Sequence, residues 1–166
     1  MADVTYRYLR PTDLDGLHAL VSDWDIVRQL GSWPWPADRS FTARRCITYP
    51  GTGFIWALMQ DDKLIGTMGV TEGDLGYCLA PMAWGQGIAT RLARLAINHA
   101  FRDPALLWIN ASVWHDNPGS LHVLEKLGFS HAADDTQHAL ARNTPTLCHH
   151  YQLTRIQWDS LRSGAQ

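Results

Sequence analysis

The chain has 166 residues, which is the usual size of one domain and enough to bury a core without disulfides or a structural metal. Fourteen Lys and Arg against sixteen Asp and Glu give a formal net charge of -2, which argues against binding of nucleic acid or a membrane surface through bulk positive charge. The hydrophobic fraction is 46% and the charged fraction 18%, as in a globular chain. We therefore predict a single domain over residues 1–166.

The cysteines and the N-terminus indicate the compartment. Cys46, Cys78 and Cys148 are too few and too scattered for a disulfide framework, and none belongs to a Cys-x-x-Cys pair. The eight histidines show no metal-ligand spacing, so no metal site is predicted. Neither a signal peptide nor an apolar run as long as a membrane span is present in the sequence. We expect buried free thiols in a cytoplasmic protein.

The first third of the chain predicts one strand followed by three helices. Hydrophobic periodicity and capping residues give, in chain order, a strand over Thr5–Leu9, a helix capped by Thr12 or Asp13, a short helix over Trp24–Leu30, a break at Gly31–Pro36 and a helix over Asp38–Ile47.

The rest of the chain predicts a hairpin meander and then alternating helices and strands. The meander strands are Gly53–Met59, Leu64–Val70 and Leu75–Leu79, whose short connections imply antiparallel pairing. The later elements are a helix over Gly85–Phe101, a strand over Leu106–Val113, a helix over Asn117–Leu127, a strand starting at Phe129–Ala132 and a last strand over Leu147–Leu153. This order predicts one α/β (α+β) domain with a mixed sheet.

A glycine-rich helix start is the first candidate ligand site. Gly85 and Gly87 follow a strand and open the longest helix, so a ligand can approach the backbone closely. The unpaired N–H groups of a first helical turn favour phosphate. The dinucleotide fingerprint fails at its third glycine, where Thr90 stands, and no Walker A sequence follows. The alternative is a glycine-rich helix start without a ligand.

The second informative stretch runs from Asn117 to Phe129. Asn117 is a good helix cap, Ser120 lies in the first turn and Gly128 ends the helix. Taken alone, this stretch is an ordinary capped helix.

The two stretches together resemble a GNAT-superfamily N-acetyltransferase of the RimJ/RimL-type branch. The matching segments occur in the right order and cover nearly the whole chain: Leu9-Arg10-Pro11-Thr12-Asp13, Leu75-Gly76-Tyr77, Trp84-Gly85-Gln86-Gly87-Ile88-Ala89, Asn117-Pro118-Gly119-Ser120, Leu124-Glu125-Lys126-Leu127-Gly128-Phe129 and Tyr151-Gln152-Leu153-Thr154-Arg155. The resemblance implies a mostly antiparallel sheet of about seven strands, flanked by helices and splayed between the fourth and fifth strands.

The resemblance also implies acetyl-CoA as cosubstrate and direct acetyl transfer to a primary amine. Cys78 and Leu79 would border the pantetheine arm, with a backbone N–H near Leu79 polarising the thioester carbonyl. Asn117 would bind the cofactor arm, and Ser120 would lie close to the sulfur. The pyrophosphate would sit on the loop and first turn formed by Trp84, Gly85, Gln86, Gly87, Ile88, Ala89 and Thr90.

Candidate catalytic groups follow from the two proton transfers that amine acetylation requires. Ser120 is the candidate acid for the departing thiolate, and the alternative is a plain first-turn serine. Asp74 and Glu72 are candidate bases that share one face if the chain there is extended, and the alternative is a solvated turn. His138 is a third candidate base.

The acceptor side is suggested by the Trp33-Pro34-Trp35-Pro36 segment. Trp33 and Trp35 could form an aromatic wall for a cation or an aliphatic chain, and core packing is the alternative. The amine could belong to a protein N-terminus, an antibiotic, a polyamine or an amino acid. Two rival functions stay open, an acyl-CoA sensor without turnover and a Trp-rich carbohydrate or peptide binder. We expect a monomer or homodimer that binds neither nucleic acid nor membrane.

Overall fold

The computed structural model describes residues 3–164 and confirms a mixed α/β fold built on one seven-stranded sheet. The spatial order is β1-β2-β3-β4-β5-β7-β6, and only the β4–β5 pair is parallel. The strands are β1 (Thr5–Tyr8), β2 (Gly53–Gln60), β3 (Lys63–Thr71), β4 (Asp74–Leu79), β5 (Trp108–Trp114), β6 (Ser130–Ala139) and β7 (Thr144–Thr154).

Six α-helices are found in the described part of the chain. They are α1 (Leu14–Val21), α2 (Trp24–Val27), α3 (Arg39–Arg45), α4 (Ile88–Ala100), α5 (Pro118–Lys126) and α6 (Arg155–Ser163). Single 3₁₀ turns at Pro11–Asp13 and Pro81–Ala83 precede α1 and the loop before α4.

The sheet buries a separate apolar cluster on each face. In β2, Phe54, Trp56 and Leu58 belong to the large core that includes α4 and α5, because alternate residues of a strand point to opposite faces. Ala57 belongs instead to the smaller cluster with Leu17 of α1. The helices α1 and α3 therefore cover one face of the sheet and α4 and α5 the other.

The predicted start of the long helix was wrong, whereas Asp13 is the N-cap residue of α1 as predicted but makes no side-chain capping bond. The long helix begins at Ile88 and not at Gly85, because Gly85 and Gly87 have φ angles of 71° and 74°, which a right-handed helix excludes. Asp13 does not cap α1 with its side chain. Its carboxylate accepts hydrogen bonds from the Arg7 guanidinium at 2.8 and 2.7 Å and from the Arg10 N–H at 3.0 Å.

The C-terminal third is more extended than the sequence predicted. The strands β6 and β7 form a long hairpin paired from Ser130↔Gln152 to Ala139↔Thr144, whereas the sequence predicted only the start of β6 and residues Leu147–Leu153 of β7. The helix α6 was not predicted, and Thr154 caps it through the Gln157 N–H at 3.2 Å. Polar residues dominate β6, which is the edge strand, so its hydrophobic signal is weak.

The cysteines and the helices of the structure bear on two expectations from the sequence. Cys46, Cys78 and Cys148 are free and buried, as predicted. Within residues 3–164, no helix is both long enough and apolar enough to cross a membrane.

Candidate active site

The strands β4 and β5 separate almost as soon as they meet. They pair only at Asp74↔Asn110, and beyond that point β4 keeps its ladder with β3 alone. Ala80 donates its N–H to the Ile65 carbonyl at 2.7 Å, across the Gly66↔Leu79 pair. Because the bonds of an antiparallel ladder alternate, the Leu79 N–H faces away from β3 and into the gap. The Leu79 N–H is therefore a free hydrogen-bond donor, placed where the carbonyl oxygen of a ligand could accept a hydrogen bond from it.

The loop before α4 opens toward solvent at one end of this gap. A methyl group built on Gly85 or Gly87 would meet no atom within 4 Å, so the backbone is accessible there. Trp84 donates its indole N–H to the Leu79 carbonyl at 2.8 Å, and Gln86 donates its amide to the Met82 carbonyl at 2.7 Å. The first residues of α4 are Ile88, Ala89 and Thr90. The predicted pyrophosphate residues thus form one loop and helix start, held to β4 by Trp84.

Tyr77 and Ser120 meet across the gap. The Tyr77 hydroxyl donates to Ser120 Oγ at 3.1 Å, and Asn117 Oδ1 accepts the Ser120 N–H at 3.1 Å. Burial raises the pKa of the Tyr77 phenol above its usual value, so the phenol stays protonated at neutral pH. The sequence predicted Ser120 and Asn117 but not the role of Tyr77, because its partner lies 43 residues away. The pair can pass a proton from one hydroxyl to the other.

The two predicted carboxylates do not share a face. Glu72 and Gly73 form the two-residue β3–β4 turn with φ angles of 50° and 87°, so the chain there is not extended. Glu72 Oε1 accepts from the Tyr49 hydroxyl at 3.0 Å and the Thr52 N–H at 2.9 Å. Glu72 therefore fastens the turn to the loop before β2.

Asp74 lies at the closed end of the gap, where β4 still pairs with β5, and the pKa of its carboxyl group is shifted. Asp74 is an exposed residue, but partial desolvation of its carboxyl group raises the pKa of Asp74, and the nearby His150 partly opposes this shift. A raised pKa suits a general base that works near neutral pH. The third candidate base, His138, lies on the exposed edge strand β6, where it pairs with Pro145.

A hydrogen-bonded row crosses the sheet on the same face as Asp74. Ser112 Oγ lies 2.9 Å from His150 Nδ1, and His150 Nε2 lies 2.8 Å from Asp135 Oδ1. The register Asp74↔Asn110↔Gln152 and Ser112↔His150 places these side chains on one face. The sequence did not reveal the row, because its members come from three different strands.

A cavity of about 540 Å³ lies between the sheet and the α1–α3 side and reaches β4 at Gly76, Tyr77 and Cys78. Trp33, one of the two predicted acceptor-wall residues, lines the cavity, and its role there stays a prediction. Trp35 is not among its lining residues: Trp35 is 42% exposed and packs against Trp24 with ring centroids 5.2 Å apart. Burial raises the pKa of the Cys78 thiol at the inner end, so Cys78 is not a ready nucleophile.

Two clusters of possible metal ligands lie on the β6–β7 hairpin, although the sequence predicted no metal site. They are His131, Asp134 and His149, and Asp135, Cys148 and His150. In each cluster the aspartate already accepts from histidine, with Asp134 Oδ1 at 2.7 Å from His131 Nε2 and 2.6 Å from His149 Nδ1. These groups satisfy one another without an ion, and the absence of a metal stays a prediction.

The sequence comparisons identify relatives of one family. The sequence model of the family described as "Acetyltransferase (GNAT) domain" matches residues 3–130. The chain is 39% identical over 78 residues to the probable N-acetyltransferase YjcK of Bacillus subtilis, which is 42% of this chain and 43% of the relative. The chain spans only about half the length of the curated relatives it matches.

Solved structures of low sequence identity share the fold. Spermidine N-acetyltransferase from Vibrio cholerae, in complex with CoA and spermine, has a TM-score of 0.78 at 20% identity and covers 93% of this chain and 97% of that one. The structure of AAC(6')-Ib with ribostamycin and coenzyme A has a TM-score of 0.77 at 18% identity, covering 96% and 98%.

Proposed function

Because the chain belongs to the GNAT acetyltransferase family, we propose that it is an acetyl-CoA-dependent N-acetyltransferase that acetylates a primary amine directly. The amine nitrogen forms a bond to the acetyl carbon, and the bond from that carbon to the CoA sulfur breaks. The observation that carries the proposal is the Tyr77–Ser120 hydroxyl pair beside a strand gap that contains a free backbone donor.

The chain's own groups can hold acetyl-CoA without a lysine or arginine clamp. The open backbone at Gly85 and Gly87 and the first turn of α4 offer N–H groups to phosphate oxygens. The gap between β4 and β5 takes an extended arm, and the Leu79 N–H donates to the thioester oxygen and to the oxyanion that develops from it.

Two proton transfers complete the reaction. The free amine attacks, and Asp74 accepts the proton that the nitrogen loses as the new bond forms, directly or through water, because its raised pKa makes it a stronger base than an ordinary aspartate. Ser120 donates a proton to the departing thiolate and takes a proton from the Tyr77 hydroxyl, which lies 3.1 Å from Ser120 Oγ. No covalent enzyme intermediate is required, since the attacking amine is itself a good nucleophile once deprotonated.

The decisive experiment measures release of free thiol from acetyl-CoA with a panel of amines. Turnover with any amine, lost in a Tyr77→Phe/Ser120→Ala double variant that still binds CoA, supports the proposal. Tight CoA binding without turnover by any amine contradicts it and favours an acyl-CoA sensor. Carbohydrate or peptide binding without CoA affinity favours the remaining rival.

We further propose that residues 1–166 form one acetyltransferase domain of the RimJ/RimL-type branch, acting in the cytoplasm as a monomer or homodimer. The support is the set of motifs along the chain, above all Trp84–Ala89 and Asn117–Ser120. Acceptors then include a protein N-terminal amine and small-molecule amines. Assaying N-terminal peptides beside small amines tests the branch, and sedimentation equilibrium tests the oligomeric state.

A further inference from the structure

The walls of the acceptor-side cavity carry positive charge and no negative charge. Arg44 and Arg45 of α3 contribute to the lining, and no Asp or Glu of residues 3–164 is among the lining residues. The volume of about 540 Å³ is typical of a small-molecule site. The lining of the cavity therefore includes two cationic residues of one helix and no acidic residue.

Neither guanidinium is neutralised by the protein. Arg44 and Arg45 form no ion pair in the described part of the chain, whereas Arg39 on the same helix pairs with Asp15. Arg45 is an exposed residue that donates to Ser32 Oγ at 2.9 Å, and partial burial of its guanidinium lowers its pKa. A partly desolvated cation without a carboxylate partner gains most from an anion brought by a ligand.

The aromatic wall is already occupied by a cation of the chain itself. The Arg45 guanidinium carbon lies 5.1 Å from the Trp33 ring centroid and 4.5 Å from that of Phe41. Trp33 is thus not a vacant cage for an ammonium group, and a polycation entering the cavity would meet like charge. Much of the remaining lining is aliphatic, including Leu9, Leu17, Val21, Leu30, Ile47 and Ile55.

We infer that the acceptor is an amino carboxylate: a primary amine with an apolar body and a carboxylate that binds Arg44 and Arg45. The inference rests on the proposed function and names its substrate class. The apolar body packs on the aliphatic wall, the carboxylate lies at α3, and the amine points to β4 at Gly76, the lining residue that lies nearest to Asp74 on the same face of the strand. The sequence alone had favoured a cationic or aliphatic acceptor at the same tryptophan.

The test compares amines that differ only in the carboxylate. The pairs are 6-aminohexanoate with pentylamine and phenylalanine with phenethylamine, and spermidine and an aminoglycoside serve as polycations. Rates are compared per concentration of free base, which removes differences in amine pKa. We expect kcat/KM to be about ten- to a hundredfold higher for the carboxylated member, because hydrogen bonds to charged groups are strong. The pair that responds decides between an α- and an ω-amino acid.

Variants of α3 assign the effect to the arginines. Arg45→Met and Arg44→Met should raise KM for the amino carboxylate by about tenfold or more, with KM for its uncharged partner and for acetyl-CoA nearly unchanged. Arg39→Met, on the same helix but outside the cavity lining, is the matched control and should leave every KM unchanged.

Three results would overturn the inference. They are a preference for spermidine or the aminoglycoside, an increase in KM for acetyl-CoA in Arg45→Met, and neither binding nor turnover of any amino carboxylate. The first leaves the proposed function intact, since acetyl transfer still occurs. Failure of every amine to release thiol contradicts the proposed function itself, so the two failures are distinguishable.

Discussion

At the scale of single residues, the chemistry depends on hydroxyl and carboxyl groups whose surroundings change their pKa. Tyr77 is half-buried and bonded to Ser120, while Ser120 is held by Asn117 at the start of α5. A serine alone is a very weak acid, so a phenol behind it supplies the proton that serine passes on. In the proposed mechanism, the pair acts as a two-hydroxyl relay in place of a single general acid.

Removing either hydroxyl should slow turnover more than it weakens cosubstrate binding. We expect Ser120→Ala and Tyr77→Phe each to lower kcat by about 10²-fold or more, since general acid catalysis contributes about 10²–10⁴-fold. The double variant should be little worse than either single variant, because both remove the same relay. The measurements are kcat and the Kd of acetyl-CoA, with Tyr151→Phe on β7 as control. Wild-type kcat in both variants would leave Ser120 as a plain first-turn residue of α5.

The pH profile should separate Asp74 from Glu72. Asp74 acts as base only when ionised, and its raised pKa means that this requirement fails as pH falls through that raised value. Below it, log(kcat/KM) should rise with pH at a slope of about two, one for Asp74 and one for the amine. Asp74→Asn should reduce the slope to about one, whereas Glu72→Gln should retain it. The opposite result would assign the base to Glu72.

At the scale of elements, one arginine joins three parts of the chain around the site. Arg142, in the β6–β7 turn, donates to both carboxylate oxygens of Asp116 at 2.9 and 2.8 Å and to the Arg28 carbonyl at 2.8 Å. Asp116 immediately precedes the cap Asn117. The hairpin is thereby fixed to the end of α2 and to the loop that positions Ser120.

Breaking this junction should cost stability in a pH-dependent way. The Arg142 hydrogen bonds lower the pKa of Asp116, so their contribution is present above the ordinary Asp pKa of about 3.9 and is lost as pH falls through the lowered value. Arg142→Met should reduce the free energy of unfolding by about 2–3 kcal/mol at pH 7. The difference from wild type should shrink near pH 3, as thermal denaturation at both pH values would measure. If the loss of unfolding free energy in Arg142→Met were the same at both pH values, the bonds to Asp116 would not account for it, and the bond to the Arg28 carbonyl would.

The elements also show what a sequence can reveal about such a site. The glycines before α4 and the Asn117 cap were predictable, because a positive φ angle and a helix cap are local properties of a few residues. Tyr77, Arg45 and His150 were not, since each matters through a partner that only strand pairing or helix packing brings near. Most of the edge strand β6 was not predicted, because nearly all of its residues are exposed to solvent and no alternation of apolar and polar residues is needed there.

At the scale of the whole molecule, the sheet separates the two proposed ligand sites. The loop at Gly87 leads into α4 on one face, and the cavity at Trp33 lies under α1 and α3 on the other face. The two approaches meet only at the gap between β4 and β5. The affinities for the two ligands should therefore respond to separate sets of residues.

Variants on the two faces should act independently. Gly87→Asp should raise KM for acetyl-CoA about tenfold relative to Gly87→Asn, because both side chains tolerate a positive φ angle and only Asp repels phosphate. Trp33→Ala should raise acceptor KM about three- to thirtyfold, since Arg45 loses one of its two stacking partners, and should leave the acetyl-CoA KM near wild type. Trp35→Ala is the control for lost aromatic packing outside the cavity. In the Gly87→Asp/Trp33→Ala double variant the free-energy changes in kcat/KM should add to within about 0.5 kcal/mol, as for sites without shared partners. A larger coupling would show that the two ligands touch a common element and that the sheet does not separate them.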